Sequence, residues 1–96
     1  MRKITRQIVD AFWNRKPMTK GNSCVARLPD GTAHMVLHGS IIATHGPNGE
    51  VSITTAGWNT VTTKERLNGI PGVSITQKNF ELYLNGDKWD GSWTTV

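Results

Sequence analysis

The residues of this chain that could carry out metal or nucleophilic chemistry are three histidines and one cysteine. His34 and His38 lie four positions apart in AHMVLHG, a stretch that alternates like a strand. On a strand they would stand about 13 Å apart, at roughly 3.3 Å per residue. Zinc–imidazole bonds are about 2 Å long, so this pair cannot chelate one ion from a strand. His45 and the lone Cys24 have no motif around them, and a single cysteine often serves as a small apolar side chain.

Other catalytic patterns are weak. The glycine-bearing stretches HGPNGE and LNGIPG match neither the Walker A motif nor the dinucleotide-binding fingerprint. Asp87 and Asp90 flank Lys88 and Trp89, but a glycosidase pair needs a cleft between its carboxylates, for which a chain of 96 residues has little room. We therefore expect a protein that is not an enzyme and that binds no metal or cofactor.

The strongest functional signal is the distribution of charge. Residues 1–20 contain six cationic side chains and one acidic side chain, Asp10, whereas residues 21–96 contain five cationic and six acidic side chains. A cationic segment of this kind can bind phosphates, and an exposed Trp beside cations can stack on a base. The predicted surface for nucleic acid or another anionic partner consists of Arg2, Lys3, Arg6, Trp13, Arg15, Lys16 and Lys20.

This signal has alternative explanations. Arg15 and Lys16 near the end of a helix would also complement its dipole, and the other cations could form an ordinary solvated face. A second hypothesis is that the chain binds a protein through an aromatic hot spot, for which Trp58, Tyr83 and Trp89 are the candidates.

Two helices are predicted to frame these residues. Ile4, Ile8 and Phe12 recur with helical spacing, which indicates an amphipathic N-terminal helix that ends near Lys16, because Pro17 follows. Thr62 and Glu65 match a capping box, so a second, short helix is predicted over residues 62–68. Gly69 would end that helix in the left-handed conformation.

The remaining chain alternates like short strands joined by turns. Residues 29–31, 85–86 and 90–91 contain strong turn signals, and residues 77–79 are predicted to turn a further hairpin. Phe80 should then share a face with Leu82 and Leu84, and Trp89 and Trp93 should close the core. The predicted fold is α+β: the N-terminal helix packs on a twisted antiparallel sheet or half-barrel of five to six strands, and the short helix covers one end.

Length and composition limit the number of domains and the cellular compartment. A chain of this size predicts one domain spanning residues 1–96. No apolar run approaches the roughly 18 residues of a membrane span, so no membrane partner is expected. One cysteine cannot form an internal disulfide, which favours the cytosol.

Several stretches are similar to a family of small proteins encoded by tailed bacteriophages. They are MRKITRQIVDAF, LHGSIIA, TTAGWNTVTTKERLNGIPGVSITQKNFELYLNG and WDGSW. The resemblance implies a phage protein acting in the bacterial cytoplasm of its host, and it transfers no catalytic or binding residue. In this context the cationic segment favours docking on nucleic acid or on a host protein that handles it. A protein-directed inhibitor of a host enzyme or defence factor is the alternative, and a minor virion component is a third.

Overall fold

The computed structural model describes residues 2–58 and 60–96. Two helices and nine strands form in these ranges. The helices are α1 (Lys3–Trp13) and α2 (Val61–Asn68). The strands are β1 (Met18–Lys20), β2 (Ser23–Arg27), β3 (Ala33–Leu37), β4 (Ser40–His45), β5 (Val51–Ile53), β6 (Ile75–Lys78), β7 (Glu81–Leu84), β8 (Asp87–Trp89) and β9 (Thr94–Thr95).

The strands form two antiparallel sheets. The larger sheet has the order β1-β2-β3-β4-β5-β9, and the smaller has the order β6-β7-β8. Neighbours in the sheets follow one another along the chain except where β9 returns to pair with β5. The predicted α+β fold is confirmed, although the strands are divided between two open sheets.

The N-terminal helix forms where its apolar spacing predicted it, but it ends at Trp13, three residues before the predicted end near Lys16. Ile8 and Phe12 are fully buried, while Arg6 and Asp10 on the other side are exposed. The helix packs across β1, β2 and β3, whose inward-facing side chains include Val25 and Met35. Burying this apolar stripe, rather than helical propensity alone, is what stabilises a helix of 11 residues.

A β-bulge in the larger sheet adjusts which side chains of β4 face inward. Met35 pairs with Ala43, but the next residue, Val36, pairs with Ile41, so Ile42 is an extra residue in β4. Ile42 and Ala43 are both buried as a result.

The second helix begins earlier than predicted. Its N-cap is Thr60, whose Oγ1 accepts a hydrogen bond from the backbone N–H of Thr63 at 3.1 Å. The predicted capping box of Thr62 and Glu65 is therefore wrong. The Glu65 carboxylate instead accepts a hydrogen bond from the hydroxyl of Thr5, across the interface between the two helices.

Gly69 follows the last residue of α2, as predicted, but it does not adopt the left-handed conformation. Its φ is −73°, in the right-handed region, so the predicted left-handed cap is wrong. A Cβ at this position would lie 2.8 Å from Cγ2 of Val9 and 2.9 Å from Cγ2 of Thr5. Glycine is needed here because α1 passes too close for a side chain.

A buried arginine joins three elements. Arg66 of α2 is 2% exposed and donates from Nε to Ser23 Oγ at 3.1 Å. Its Nη1 donates to Thr5 Oγ1 at 2.5 Å and to Glu65 Oε1 at 2.8 Å. These bonds fix α1, α2 and β2 relative to one another, and they satisfy a charge that would be costly to bury alone.

The smaller sheet shows one confirmed turn and one corrected hairpin. Asn85 and Gly86 have φ of 51° and 91°, as the predicted tight turn requires. The β6–β7 turn is formed by Asn79 and Phe80, with φ of 53° and 66°. Phe80 is 94% exposed and does not share the buried face of Leu82 and Leu84, so its predicted packing is wrong.

The two late tryptophans differ. Trp89 is buried, and its Nε1–H lies within hydrogen-bond distance of the Ser92 carbonyl and Thr94 Oγ1. Trp93 is 52% exposed and does not close the core, contrary to the prediction.

Candidate nucleic-acid interface

Most of the predicted cationic side chains lie on the exposed side of α1 or in the chain that follows it. Arg2, Lys3, Arg6, Lys16 and Lys20 are all exposed. Among residues 2–58 and 60–96, none of these five side chains lies within 4.0 Å of a carboxylate in an ion pair. Their charges are thus available to an anionic partner. We call these five residues together with Trp13 the α1 surface.

The helical positions bring part of the α1 surface together. At about 100° per residue, Arg2, Arg6 and Trp13 fall within roughly 40° of one another around the helix. Val9 is adjacent to this row and packs toward Gly69. The row therefore lies on the side of α1 that faces the connection between α2 and β6.

Arg15 differs from the other predicted cations because its guanidinium is used inside the molecule. Its Nη2 donates to the carbonyl oxygen of Gly46 at 2.6 Å and lies 3.3 Å from Nε2 of His45. Its Nε is buried, with no hydrogen-bond partner in the described part of the chain. Arg15 is therefore a positioning residue at the end of α1 and contributes little to a free cationic surface.

His45 supports the exposed tryptophan. The imidazole is buried and stacks on the indole of Trp13, with ring centroids 4.9 Å apart and planes inclined by 18°. A guanidinium only donates, so Nε2 of His45 accepts from Arg15, and the ring hydrogen is then on Nδ1, which faces the Phe12 carbonyl at 3.4 Å. Trp13 itself remains 41% exposed. The sequence marked Trp13 but gave no signal for its support by His45.

A groove runs beside this tryptophan. It has a volume of about 260 Å³ and is lined by Arg6, Val9, Asp10, Trp13, Gly69 and Pro71. Gly69 of the α2–β6 connection lies so close to α1 that a Cβ there would clash with Val9 and Thr5. The groove thus combines an aromatic ring, a cation and a carboxylate, all from α1, with an opposite wall from a segment about 60 residues further along the chain.

The neighbouring Glu65 is held in its charged form. Its partial burial acts to raise its pKa, but hydrogen bonds from the Thr5 hydroxyl and the Arg2 backbone N–H, with the nearby charges of Arg66 and Arg2, lower the pKa below its ordinary value of 4.5. Its charge is compensated chiefly by Arg66, at 2.8 Å. Glu65 therefore offsets the charge of the α1 surface only in part.

The three aromatic candidates for a protein partner are placed differently. Trp58 is 54% exposed and lines a second cavity of about 460 Å³, together with Leu37, His38, Ile42 and three threonines. Tyr83 is half-buried, and its hydroxyl donates to Glu81 at 3.3 Å. Trp89 is buried and is not available as an anchor. Trp58 is thus the candidate that a partner could reach most readily.

The remaining chemistry-bearing residues are dispersed. Cys24 and His34 are half-buried on β2 and β3, while His38 lies in the β3–β4 turn with a φ of 51°. In the ranges 2–58 and 60–96, no three His, Cys, Asp or Glu side chains come together as a metal site would need. Among the same residues, no helix has the length and apolar character needed to cross a membrane.

The fold and the α1 surface define a small α+β protein with a cationic, partly aromatic helix face. The sequence model of the Kyanoviridae Gp96 protein family matches residues 1–95, so the chain belongs to this family of cyanophage proteins. The predicted origin in a bacteriophage is confirmed. No curated protein and no solved structure matches the chain.

Proposed function

We propose that this phage protein is a non-enzymatic module that binds nucleic acid, alone or within a host complex that handles it, in the cytoplasm of the infected bacterium. The observation that carries the proposal is the set of five exposed cations on the α1 surface that make no ion pair within residues 2–58 and 60–96. Unpaired cations around an exposed aromatic ring are the features that sequence-tolerant binding of single strands uses.

The net charge supports the same partner. Residues 1–20 carry a net charge of +5 and residues 21–96 a net charge of −1, which together give the formal charge of +4. A field concentrated in one segment of the chain speeds association with a polyanion and orients it. The rest of the chain offers no comparable excess of cations.

Binding is tested with a pair of charge-reversed variants of equal net charge. Lys3→Glu/Arg6→Glu changes the α1 surface, and Arg27→Glu/Lys78→Glu reverses two exposed cations at the ends of β2 and β6. Fluorescence anisotropy with a labelled 12-nucleotide strand should show at least tenfold weaker binding for the first variant and less than threefold for the second. Equal loss in both would mean that net charge alone matters and would contradict the proposed surface. Arg15 is left unchanged because it holds Gly46 and His45.

A second candidate function is inhibition of a host enzyme or defence factor by direct protein binding. Trp58 favours it, because an aromatic ring that is 54% exposed beside a cavity of about 460 Å³ resembles an interface anchor. The test uses a host protein that forms a defined complex with the chain from purified components. Trp58→Ala should weaken the affinity of this complex at least tenfold, and Lys3→Glu/Arg6→Glu should leave it unchanged. The reverse pattern would favour nucleic-acid binding.

A further inference from the structure

A groove of about 260 Å³ lies between α1 and the α2–β6 connection. The missing side chain of Gly69 allows the connection to approach within contact distance of Val9 and Thr5, so a groove wall stands beside the row of Arg2, Arg6 and Trp13. A helix that reads duplex DNA must enter the major groove, which is about 12 Å wide, with its reading face free. Here that side of α1 faces a wall.

We propose that the groove holds one unpaired base of a single-stranded nucleic acid, stacked on Trp13. This inference rests on the proposed function and specifies its substrate class. The volume of about 260 Å³ is slightly below that of typical small-molecule sites, about 300–1,000 Å³, and so suits one base rather than a dinucleotide.

Trp13 is held in place before any ligand arrives. One contact of its indole is the stacked His45 imidazole, which Arg15 in turn fixes by a hydrogen bond. A ring that is already ordered loses little conformational freedom on binding, so stacking contributes more of its free energy to affinity. The ring remains 41% exposed and lines the groove.

The charged residues beside the groove favour a position for the phosphates next to the stacked base. Arg6 lines the groove, and Arg2 and Lys3 precede it on α1, so the phosphates next to the stacked base have cations toward the helix N-terminus. Asp10 also lines the groove; its Oδ1 accepts a long hydrogen bond from Asn14 Nδ2 at 3.4 Å, and its carboxylate repels phosphate and can only accept hydrogen bonds. It therefore marks the place of a base edge that carries an amino group.

This arrangement predicts a preference between two pyrimidines. Cytosine presents an N4 amino donor to a carboxylate, whereas thymine presents a carbonyl oxygen at the same position. We expect a 12-mer of deoxycytidine to bind several-fold more tightly than a 12-mer of thymidine. Asp10→Ala should remove this ratio.

The deciding experiment compares these two strands with an abasic 12-mer of the same charge, by fluorescence anisotropy with the full chain. The deoxycytidine strand should bind at least fivefold more tightly than the abasic strand, as expected for one stacked base. Trp13→Ala should bring the two within twofold of each other, and Trp13→Phe should keep most of the difference. If Trp13→Ala fails to fold, the comparison of the deoxycytidine and abasic strands with the wild-type chain and with Trp13→Phe still decides the question.

The outcomes separate this inference from the proposed function. If the wild-type chain binds the abasic and deoxycytidine strands equally well, the groove holds no base, and the proposed function stands on charge alone. Tighter binding of a 12-base-pair duplex than of either single strand would also overturn the inference. If no strand binds, the proposed function fails in the form in which the chain binds nucleic acid alone, and this inference fails with it.

Discussion

The indole of Trp13 stacks on the imidazole of His45, with ring centroids 4.9 Å apart and planes inclined by 18°. His45 is buried at the end of β4, and Trp13 is partly exposed at the end of α1. The pair thus connects the core to the α1 surface. Arg15 completes the link, because its guanidinium contacts both His45 and the Gly46 carbonyl.

Arg15→Ala is expected to lower the free energy of unfolding by about 1–3 kcal/mol, because the partly buried Gly46 carbonyl and His45 Nε2 lose their donor. Urea denaturation measures this effect. The matched control is Lys16→Ala, which removes an exposed neighbouring cation and should change stability by less than about 0.5 kcal/mol. Equal effects of the two substitutions would show that the guanidinium is not holding this corner.

Gly69→Ala should destabilise the fold by about 1–3 kcal/mol through overpacking, since its new Cβ would approach Val9 Cγ2 to 2.8 Å. The backbone there is right-handed, so alanine brings no conformational strain of its own. In a Val9→Ala background the same substitution should cost less, because Val9 Cγ2 is gone and only Thr5 Cγ2, at 2.9 Å, still obstructs the new Cβ. A double-mutant cycle measures this coupling, and strict additivity would contradict the close approach.

Arg66→Met should be among the most destabilising substitutions, at about 3–5 kcal/mol, because it leaves the Glu65 carboxylate without its charged partner and two hydroxyls without a donor. Thermal and urea unfolding provide the measurement. Adding Glu65→Gln should restore part of the loss, since no unpaired charge then remains. An Arg66→Met protein as stable as an Arg27→Met control would disprove the role of this network.

Glu65 should make stability depend on pH at the acidic end. Its folded pKa lies below the ordinary value of 4.5, so its contribution is fully present above that pH and disappears as the pH falls through the folded pKa. The wild-type protein should therefore exceed Glu65→Gln in stability at pH 6, and the difference should shrink toward pH 3. Unfolding curves across this range test it, and a difference that is constant with pH would contradict the lowered pKa.

Phe80→Gly is expected to stabilise the protein by about 0.5–1 kcal/mol. Phe80 occupies a left-handed position, with a φ of 66°, that is costly for a bulky residue, and its ring is 94% exposed. Phe80→Ala removes the ring but keeps the unfavourable backbone, so it should change stability by less than about 0.5 kcal/mol. Destabilisation by Phe80→Gly would mean that the ring makes contacts in solution.

Periodicity and turn chemistry predicted most of the architecture. Ile4, Ile8 and Phe12 marked α1, and Asn85-Gly86 marked a tight turn, because these signals depend on residues close in sequence. The start of α2 was misplaced because Thr60 and Thr62 are equally good N-caps, and the choice between them depends on packing. The predicted burial of Trp93 and Phe80 is wrong for the same reason, because apolar character alone does not determine which side chains reach the core.

The sequence predicts the α1 side of the candidate site but not the opposite wall of its groove. The cations and Trp13 stand out in the first 20 residues, but the groove needs Gly69 and Pro71 as well. Asn68-Gly69 correctly predicts the end of α2, but nothing near Gly69 in the sequence indicates how closely it approaches Val9 and Thr5 of α1. Contacts between residues about 60 positions apart leave no local pattern in a single sequence.

The most direct test of nucleic-acid binding is the salt dependence of the dissociation constant for a labelled 12-nucleotide single strand. If all five exposed cations of the α1 surface contact phosphates, log K should fall with log salt with a slope of about −3.5, from roughly 0.7 per contact. In Lys3→Glu/Arg6→Glu the slope should be shallower by about 1.4, and in Arg27→Glu/Lys78→Glu it should stay as in the wild type. A slope near zero, or the same slope in all three proteins, would contradict the proposal.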